Sequence, residues 1–406
     1  MKNNKCIKKL ISLEKQRQEN YINLIASENY TSTNILNIQS SELSNKYAEG
    51  YKNKRYYGGC KYINKIEQLA INRAKKLFNA DYANVQPHSG SQANQAIYMA
   101  LCNPNDTILG MKLTDGGHLS HGHKANFSGK FYNIIQYGID STTEYIDYDK
   151  IDTLTKKYKP KIIIAGASAY SRIINWNILK LISKKVNAYL IADISHYAGL
   201  IASKLYPNPI KIVDAITTST QKTLRGPRGG LILSKKNKIL EKKIDMAVFP
   251  GIQGGPLEHI IAAKAICFKE AQSKKFKTYQ KQTLTNTKYL KNILEKENFK
   301  IISKGTDTHL FLINLKNKNI TGIEAEKRLE KANIIVNKNI IPNDKLNSNI
   351  TSGIRIGTPA ITTRGFKSRD IKKIGEWINK IISNKKNIKN IKIKVIKLCK
   401  KHPIYK

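Results

Sequence analysis

Four short apolar runs in the middle of the chain constrain the fold most. Lys161–Ala165 carries a run of isoleucines, Ala188–Ala192 reads AYLIA, Asp214–Thr218 reads DAITT and Gly230–Leu233 reads GLIL. A strand with one face in water alternates apolar and polar residues, whereas these runs have almost no polar face to expose and must be covered on both sides. Stretches of helical spacing separate them. Parallel strands need long crossover connections, and helices supply those. The order predicts an α/β layer fold around a mostly parallel sheet.

Flanking patterns extend this reading. Residues 5–20 read as a polar helix or arm. Ile63–Phe78 has helical spacing, with Ile63, Ile66, Leu69, Ala70, Ala74 and Leu77 expected on one face. Gln92–Leu101 is a second helix, opened by the polar turn His88–Ser91. Phe249–Pro256 (FPGIQGGP) is expected to be loop, and a long helix is expected from near Leu257 through the 280s. A second region follows: a strand at His309–Leu315, a helix opened by the capping-box pattern Thr321-Gly-Ile-Glu324, a strand at Asn333–Asn337 and a basic helical tail from Ile371. The boundary is placed near residue 275. This gives an arm over 1–30, a large domain over 31–275 and a smaller α+β domain over 276–406.

Charge raises a different class of function. The chain carries 71 Lys and Arg against 29 Asp and Glu, a net charge of +42. Nucleic-acid binding proteins share that bias. Here Lys, Asn and Ile are enriched uniformly, which reads as compositional drift on solvated faces, and no recognition signature of the RRM kind accompanies it. No specific nucleic-acid partner is expected. The five cysteines, at 6, 60, 102, 267 and 399, form no C-x-x-C pair. That argues against a disulfide framework or a zinc ribbon and for a reducing compartment. The basic N-terminus is not followed by an apolar core, so no secretory signal is expected. No run of about 18 apolar residues exists to span a membrane.

The most informative chemistry lies at Thr217-Thr-Ser-Thr-Gln221-Lys222, followed by Thr-Leu-Arg-Gly-Pro-Arg228. A lysine just beyond a strand end can be desolvated and lose its proton, as an amine nucleophile must; hydroxyls and Arg228 around it can take an anion. Asp193 closes the strand run before Ile-Ser-His196. Buried there, its carboxylate needs a partner such as a protonated heterocyclic nitrogen, or else it caps the next helix; the pattern leaves both readings open. Ser89-Gly90-Ser91 has the form of a phosphate-binding helix start and equally of a plain N-cap. His118 and His121 share a glycine-rich loop without the companions of a metal site, so no metal is expected. Taken together, an aldehyde-trapping lysine, a carboxylate for a pyridinium nitrogen and a phosphate cup are what a protein contributes to pyridoxal phosphate chemistry.

At this point the chain resembles the serine hydroxymethyltransferase family. The motifs that carry the likeness are Ile25–Tyr30, Asn45–Tyr51, Lys54–Cys60, Ala83–Asn94, Gly116–Gly122, Asn126–Gly129, Ser168–Ser171, the Lys222 segment, Phe249–Pro256 and Thr351–Ala360, in the family's order along nearly the whole chain.

The resemblance implies an aspartate aminotransferase-like fold with a sheet of the seven-stranded type, and pyridoxal 5'-phosphate held as a Schiff base on Lys222. It implies tetrahydrofolate as co-substrate, L-serine and glycine as substrates, and a cytoplasmic homodimer or tetramer. Asp193 matches the partner of the ring nitrogen and His118 the histidine stacked on the ring. Ser168 and His196 match contacts around the phenolic oxygen. Ser89, Gly90 and Ser91, with Gln221 and Arg228, match cofactor contacts, and Tyr47 and Gly255 match residues that reach the phosphate from the second subunit. Arg355 matches the grip on the substrate carboxylate. Ser27 and Tyr57 match further substrate- or cofactor-side contacts, and Glu49 the acid/base carboxylate. On the folate side the matching positions are Glu49, Tyr56, Leu113, Gly117, Leu119 and Asn339, with the loop Asn347-Ser348-Asn349. The family usually has His where this chain has Gln221, and often Ser-Pro-Phe at 347–349. The polar loop implies weaker folate binding, and the neutral amide implies altered turnover.

Overall fold

All four apolar runs form strands, and they lie side by side. The computed structural model describes residues 2–383 and 387–405. Within the unit Thr31–Gln280, seven strands make one sheet: β1 (Tyr82–Asn84), β2 (Thr107–Met111), β3 (Asn133–Tyr137), β4 (Ile162–Ala165), β5 (Tyr189–Asp193), β6 (Ala215–Ser219) and β7 (Gly230–Ser234), in the spatial order β1-β7-β6-β5-β4-β2-β3. Strands β2 to β6 run parallel. β7 runs antiparallel to both β6 and β1. Ile162, Ile163 and Ile164 are all fully buried, so both faces of the sheet are covered as their lack of alternation requires.

The reversal of β7 has a geometric consequence. Gly230, its first residue, pairs with Ser219, the last residue of β6. The entry to β7 therefore shares an edge with the carboxyl ends of β1, β5 and β6. In open α/β sheets that edge is where ligands bind.

Two helical expectations and one loop need correction. Helix Lys61–Phe78 buries Ile63, Glu67, Ala70, Ala74 and Phe78, while Leu69 is 44% exposed and Ile66 and Leu77 are only half-buried. The inward seam is narrower than the predicted stripe and admits Glu67, because Arg55 pairs with its carboxylate and the Gln86 amide donates to it at 2.9 Å. The long helix from Leu257 is two helices, Glu258–Ala271 and Lys274–Lys296, broken where the Ser273 hydroxyl accepts the Phe276 N–H at 3.1 Å. The FPGIQGGP segment is only partly loop: Ala247–Ile252 winds into a wide irregular turn interrupted at Phe249, whose φ and ψ of −132° and 125° are extended.

The other unit comprises Met1–Tyr30 and Lys281–Lys406. Its antiparallel sheet holds β8 (Lys300–Ile301), β9 (Leu310–Asn314), β10 (Asn337–Asn339) and β11 (Gly353–Gly357), in the order β8-β9-β11-β10. The predicted strand at Asn333–Asn337 divides instead: Ile334–Ile335 pairs in parallel with Ile22–Asn23, and the chain then enters β10. Thr321 and Glu324 form the capping box, opening helix Gly322–Lys331. The basic tail forms helices Ser368–Ser383 and Ile388–Lys401. The first buries Ile371, Ile374, Ile378, Ile381 and Ile382, which fits lysines accumulating on a solvated face. No described helix is long and apolar enough to cross a membrane.

Arg364 ties this unit's terminal segments together. Its guanidinium is fully buried and donates to the carbonyls of Gln18, Glu19, Tyr21, Cys399 and His402 at 2.7–3.2 Å. Arg364→Met would leave those carbonyls without their donor. A loss of roughly 3 kcal/mol or more is expected, read as a lower urea midpoint; an unchanged midpoint would contradict the clasp.

Candidate active site

Asp193 ends β5 and is 7% exposed. Its Oδ2 accepts the Asn94 amide at 2.9 Å and meets His121 Nε2 at 3.0 Å, and its Oδ1 accepts the Ser195 N–H at 3.0 Å. Burial pushes its pKa up, but the hydrogen bond and charge of His121, with the charges of Lys222 and His118, outweigh burial and hold the carboxyl well below the usual range. The supports are themselves supported. Asn94 Oδ1 accepts the Thr217 hydroxyl at 2.5 Å, and the Asn94 amide also reaches Ser120 Oγ at 2.9 Å. The result is a fixed, ionised carboxylate at a strand end.

Lys222, half-buried, sits on a turn pinned from several sides. Thr220 Oγ donates to the Pro227 carbonyl at 2.6 Å, and the Gly226 N–H returns to the Thr220 carbonyl at 2.8 Å. Thr223 Oγ donates to the His196 carbonyl at 2.8 Å and accepts the Gly199 N–H at 3.0 Å. His196 is buried. Gln221 Oε1 is buried with no hydrogen-bond partner among the described residues, whereas Arg228 is exposed.

The predicted phosphate cup is the start of helix Gly90–Leu101. Ser89 caps it, its Oγ accepting the Gln92 N–H at 3.2 Å. A Cβ on Gly90 would lie 3.2 Å from Ser219 Cβ and 3.4 Å from Ser195 Oγ, so glycine lets the helix start close on two other strand ends. Ser195 Oγ accepts the Ser219 N–H at 3.0 Å, and the buried Ser219 Oγ has no partner among the described residues. Ser91 is exposed. A helix N-terminus flanked by such hydroxyls suits an anion.

His118 caps a short turn, its Nδ1 lying 2.7 Å from Ser120 Oγ, and its ring is centred 5.7 Å from that of His121. Ser168 Oγ donates to the Gly117 carbonyl at 2.7 Å. Leu113 opens the neighbouring turn, and Leu119 is 46% exposed.

A second group gathers Tyr47, Glu49, Tyr57 and Gly255. The Tyr47 hydroxyl donates to Glu49 Oε1 at 3.2 Å, the Tyr47 and Tyr57 rings meet edge-on at 5.1 Å, and a Cβ on Gly255 would sit 3.1 Å from the Tyr47 ring. Tyr56 stands edge-on to Phe249 at 5.6 Å. Tyr47, Tyr56 and Tyr57 are all exposed.

The remaining predicted residues belong to the smaller unit. Arg355 is buried at mid-strand in β11, its Nε donating to Asn337 Oδ1 at 3.1 Å, and burial lowers its pKa to about 10. Asn339 ends β10, its amide donating to the Ile340 carbonyl at 2.7 Å. Asn347, Ser348 and Asn349 form an exposed turn in which the Asn347 side chain accepts the Asn349 N–H at 3.0 Å. Ser27 is half-buried.

Several residues that shape the site escape the sequence reading of it. His121 shares the glycine-rich loop, which offers an imidazole to a flat cofactor ring rather than to a metal, but the ring-stacking role falls to His118 and none to His121. Asn94 closes a quoted motif without a role of its own. Thr217 and Ser219 stand in the hydroxyl run read as anion-binding, and Ser195 and Gln253 inside quoted motifs, but none has a role of its own there.

Glu258 opens the helix after Gly255-Pro256-Leu257. It is 1% exposed, and neither carboxyl oxygen has a hydrogen-bond partner among the described residues. Burial, reinforced by Glu67 and opposed by Arg55 and Lys46, raises its pKa from 4.5 to about 8. An acid whose folded pKa is raised binds its proton more tightly when folded. Its stabilising contribution is complete below 4.5 and is lost as pH rises through about 8. Glu258→Gln should therefore lose less Tm than the unsubstituted protein between about pH 5 and about pH 9. Parallel thermal melts check this, and equal pH slopes would count against it.

With this geometry in place, comparisons identify the chain's relatives. The sequence profile described as serine hydroxymethyltransferase matches residues 1–378. A serine hydroxymethyltransferase of Buchnera aphidicola subsp. Acyrthosiphon pisum (strain 5A) is 59% identical over 399 residues, covering 97% of this chain and 95% of the relative. One from Wigglesworthia glossinidia brevipalpis is 60% identical over 401 residues, covering 98% and 95%. One from Legionella pneumophila (strain Corby) is 56% identical over 400 residues, covering 98% and 96%. At such identity along nearly its full length, the chain belongs to the serine hydroxymethyltransferase family.

Proposed function

We propose that the chain moves the hydroxymethyl group of L-serine reversibly onto tetrahydrofolate, giving glycine and 5,10-methylenetetrahydrofolate, with pyridoxal 5'-phosphate as cofactor. The observation that carries the reading is Asp193, an ionised carboxylate buried at the end of β5 and in electrostatic reach of Lys222. The residues present fit the cofactor. A fixed anion suits a protonated ring nitrogen, a capped helix start with the unpartnered Ser219 hydroxyl beside it suits a phosphate, and Lys222 supplies the amine. When bound, the cofactor supplies an electron-withdrawing ring that stabilises negative charge at the amino acid's Cα.

The chain's own residues divide the remaining tasks. Lys222 holds the cofactor through its aldehyde carbon. Asp193 keeps the ring nitrogen protonated, and His121, Asn94 and Ser195 keep Asp193 ionised and still. His118 covers one face of the ring, while Ser168 and His196 orient its phenolic oxygen. Ser89, Gly90 and Ser91, with Gln221 and Arg228, bind on the phosphate side. Arg355 is assigned the substrate carboxylate, since a planar guanidinium matches it bidentately. Glu49 holds or moves the proton at the serine hydroxyl and at the folate nitrogen, and Tyr57 and Ser27 are assigned further substrate- or cofactor-side contacts. Tyr56, Leu113, Gly117, Leu119, Asn339 and the 347–349 turn are assigned to folate.

We read the active form as a homodimer, in which Tyr47 and Gly255 serve the partner's phosphate. The exposure of Tyr47, Tyr56 and Tyr57 beside a glycine-rich turn supports this. A cytoplasmic location and the division into arm 1–30, cofactor domain 31–275 and small domain 276–406 complete the proposal.

The test is to reduce the purified protein with borohydride and map the pyridoxyl adduct by peptide mass. The adduct is expected on Lys222, and Lys222→Gln should lower serine turnover by several orders of magnitude while the fold persists. An adduct on another lysine would overturn the assignment.

A further inference from the structure

Between β1 and helix Gly90–Leu101 the chain leaves the sheet, and the carbonyls of Val85, Gln86 and Pro87 must be satisfied elsewhere. The Gly230 N–H reaches the Pro87 carbonyl at 2.8 Å, and two side chains from the segment after β7 add to this. The Gln253 amide donates to the Gln86 carbonyl at 3.0 Å, and its oxygen accepts the His88 N–H at 2.9 Å. Lys264, on helix Glu258–Ala271 and only 1% exposed, places its Nζ 2.7 Å from Val85 O, 3.1 Å from Pro87 O and 2.8 Å from Gly230 O. Burial, only partly opposed by the charge of Glu67, lowers its pKa to about 7. The geometry matches the charged form, with one carbonyl for each of the three ammonium hydrogens.

The three acceptors belong to the two segments that meet at the site. Pro87 leads directly into the cup at Ser89–Gly90. Gly229 and Gly230 follow the Lys222 turn, whose far end is joined to them by the Thr220 N–H on the Gly229 carbonyl at 3.0 Å. Glycine at 229 is what lets the lysine through, since a Cβ there would lie 2.3 Å from Lys264 Cε. A Cβ on Gly230 would lie 2.2 Å from the Ser89 carbonyl oxygen, so the two segments touch just beside the ammonium.

We infer that Lys264 is a positioning residue: its buried ammonium fixes the spacing between the phosphate cup at Ser89–Gly90 and the turn that carries Lys222. This rests on the proposed function, which puts the cofactor's phosphate on the first segment and its aldehyde carbon on the second. A cofactor held at both ends binds tightly only when the two anchors keep their separation. A neutral side chain of similar length fills the volume but removes all three of these contacts, leaving the Gly230 N–H on the Pro87 carbonyl at 2.8 Å to tie the segments, a looser join than with the ammonium.

The test uses Lys264→Met in the full chain. Cofactor-free protein is titrated with pyridoxal 5'-phosphate and, separately, with pyridoxal, which lacks the phosphate, following the visible absorbance of the group bound at Lys222. Without a phosphate the separation is irrelevant. The expected result is a loss of affinity for pyridoxal phosphate of roughly tenfold or more, with pyridoxal affinity nearly unchanged. Unchanged affinity for pyridoxal phosphate overturns the inference, and so does an equal loss for both compounds, which marks a general structural effect. Should Lys264→Met fail to fold, Gly229→Ala is read in the same way, because it keeps the ammonium and displaces it. Failure of the underlying reading looks different: the unsubstituted protein would then bind neither compound at Lys222.

Discussion

Asp193 sits buried at the carboxyl end of β5, and its charge has to be met there. An unpaired buried carboxylate either takes up a proton or costs several kcal/mol, about 3 or more. The protein keeps it ionised with His121, the Asn94 amide and the Ser195 N–H. Each supporter comes from a different segment of the same edge: the glycine-rich loop after β2, helix Gly90–Leu101, and the turn leaving β5. The loop carrying His121 can come this close only because β2 has a glycine at 110, where a Cβ would lie 2.4 Å from the His121 carbonyl oxygen. A carboxylate acceptor held this way remains available to a cationic ring nitrogen.

The sheet topology explains why the other parts arrive at the same place. Five parallel strands send their carboxyl ends to one edge, and the reversed β7 brings the chain that follows Lys222 back to it. Backbone that leaves a sheet at such an edge loses its ladder partners. Gln253, Thr220, Thr223 and Lys264 restore them with side chains. The loops around Lys222 and the helix start are therefore held by dedicated hydrogen bonds, which suits residues that must keep a fixed geometry.

Much of this was legible in the sequence, for a physical reason. Runs without alternation admit few structures other than a covered parallel sheet, so the IIIA, AYLIA, DAITT and GLIL segments located the core strands closely. Asp193 and Lys222 were visible because a lone charged residue beside a buried strand is costly unless it is used. Less legible were features set by partners distant in sequence. Glu67 breaks the apolar stripe of its helix, and nothing local announces that Arg55 will cover it. The helix break at Gln272–Ser273 rests on a single cap in an otherwise continuous helical pattern. Lys264 is one of 71 basic residues in the sequence, and only its burial among three carbonyls separates it from those on the surface.

The central claim is that Asp193 exists to keep a heterocyclic nitrogen protonated. The most direct measurement is nitrogen NMR of the protein loaded with pyridoxal phosphate carrying an isotopic label at the ring nitrogen. The account predicts the resonance of a protonated pyridinium at neutral pH, moving to that of a neutral pyridine in Asp193→Asn. A neutral ring nitrogen in the unsubstituted protein would contradict it.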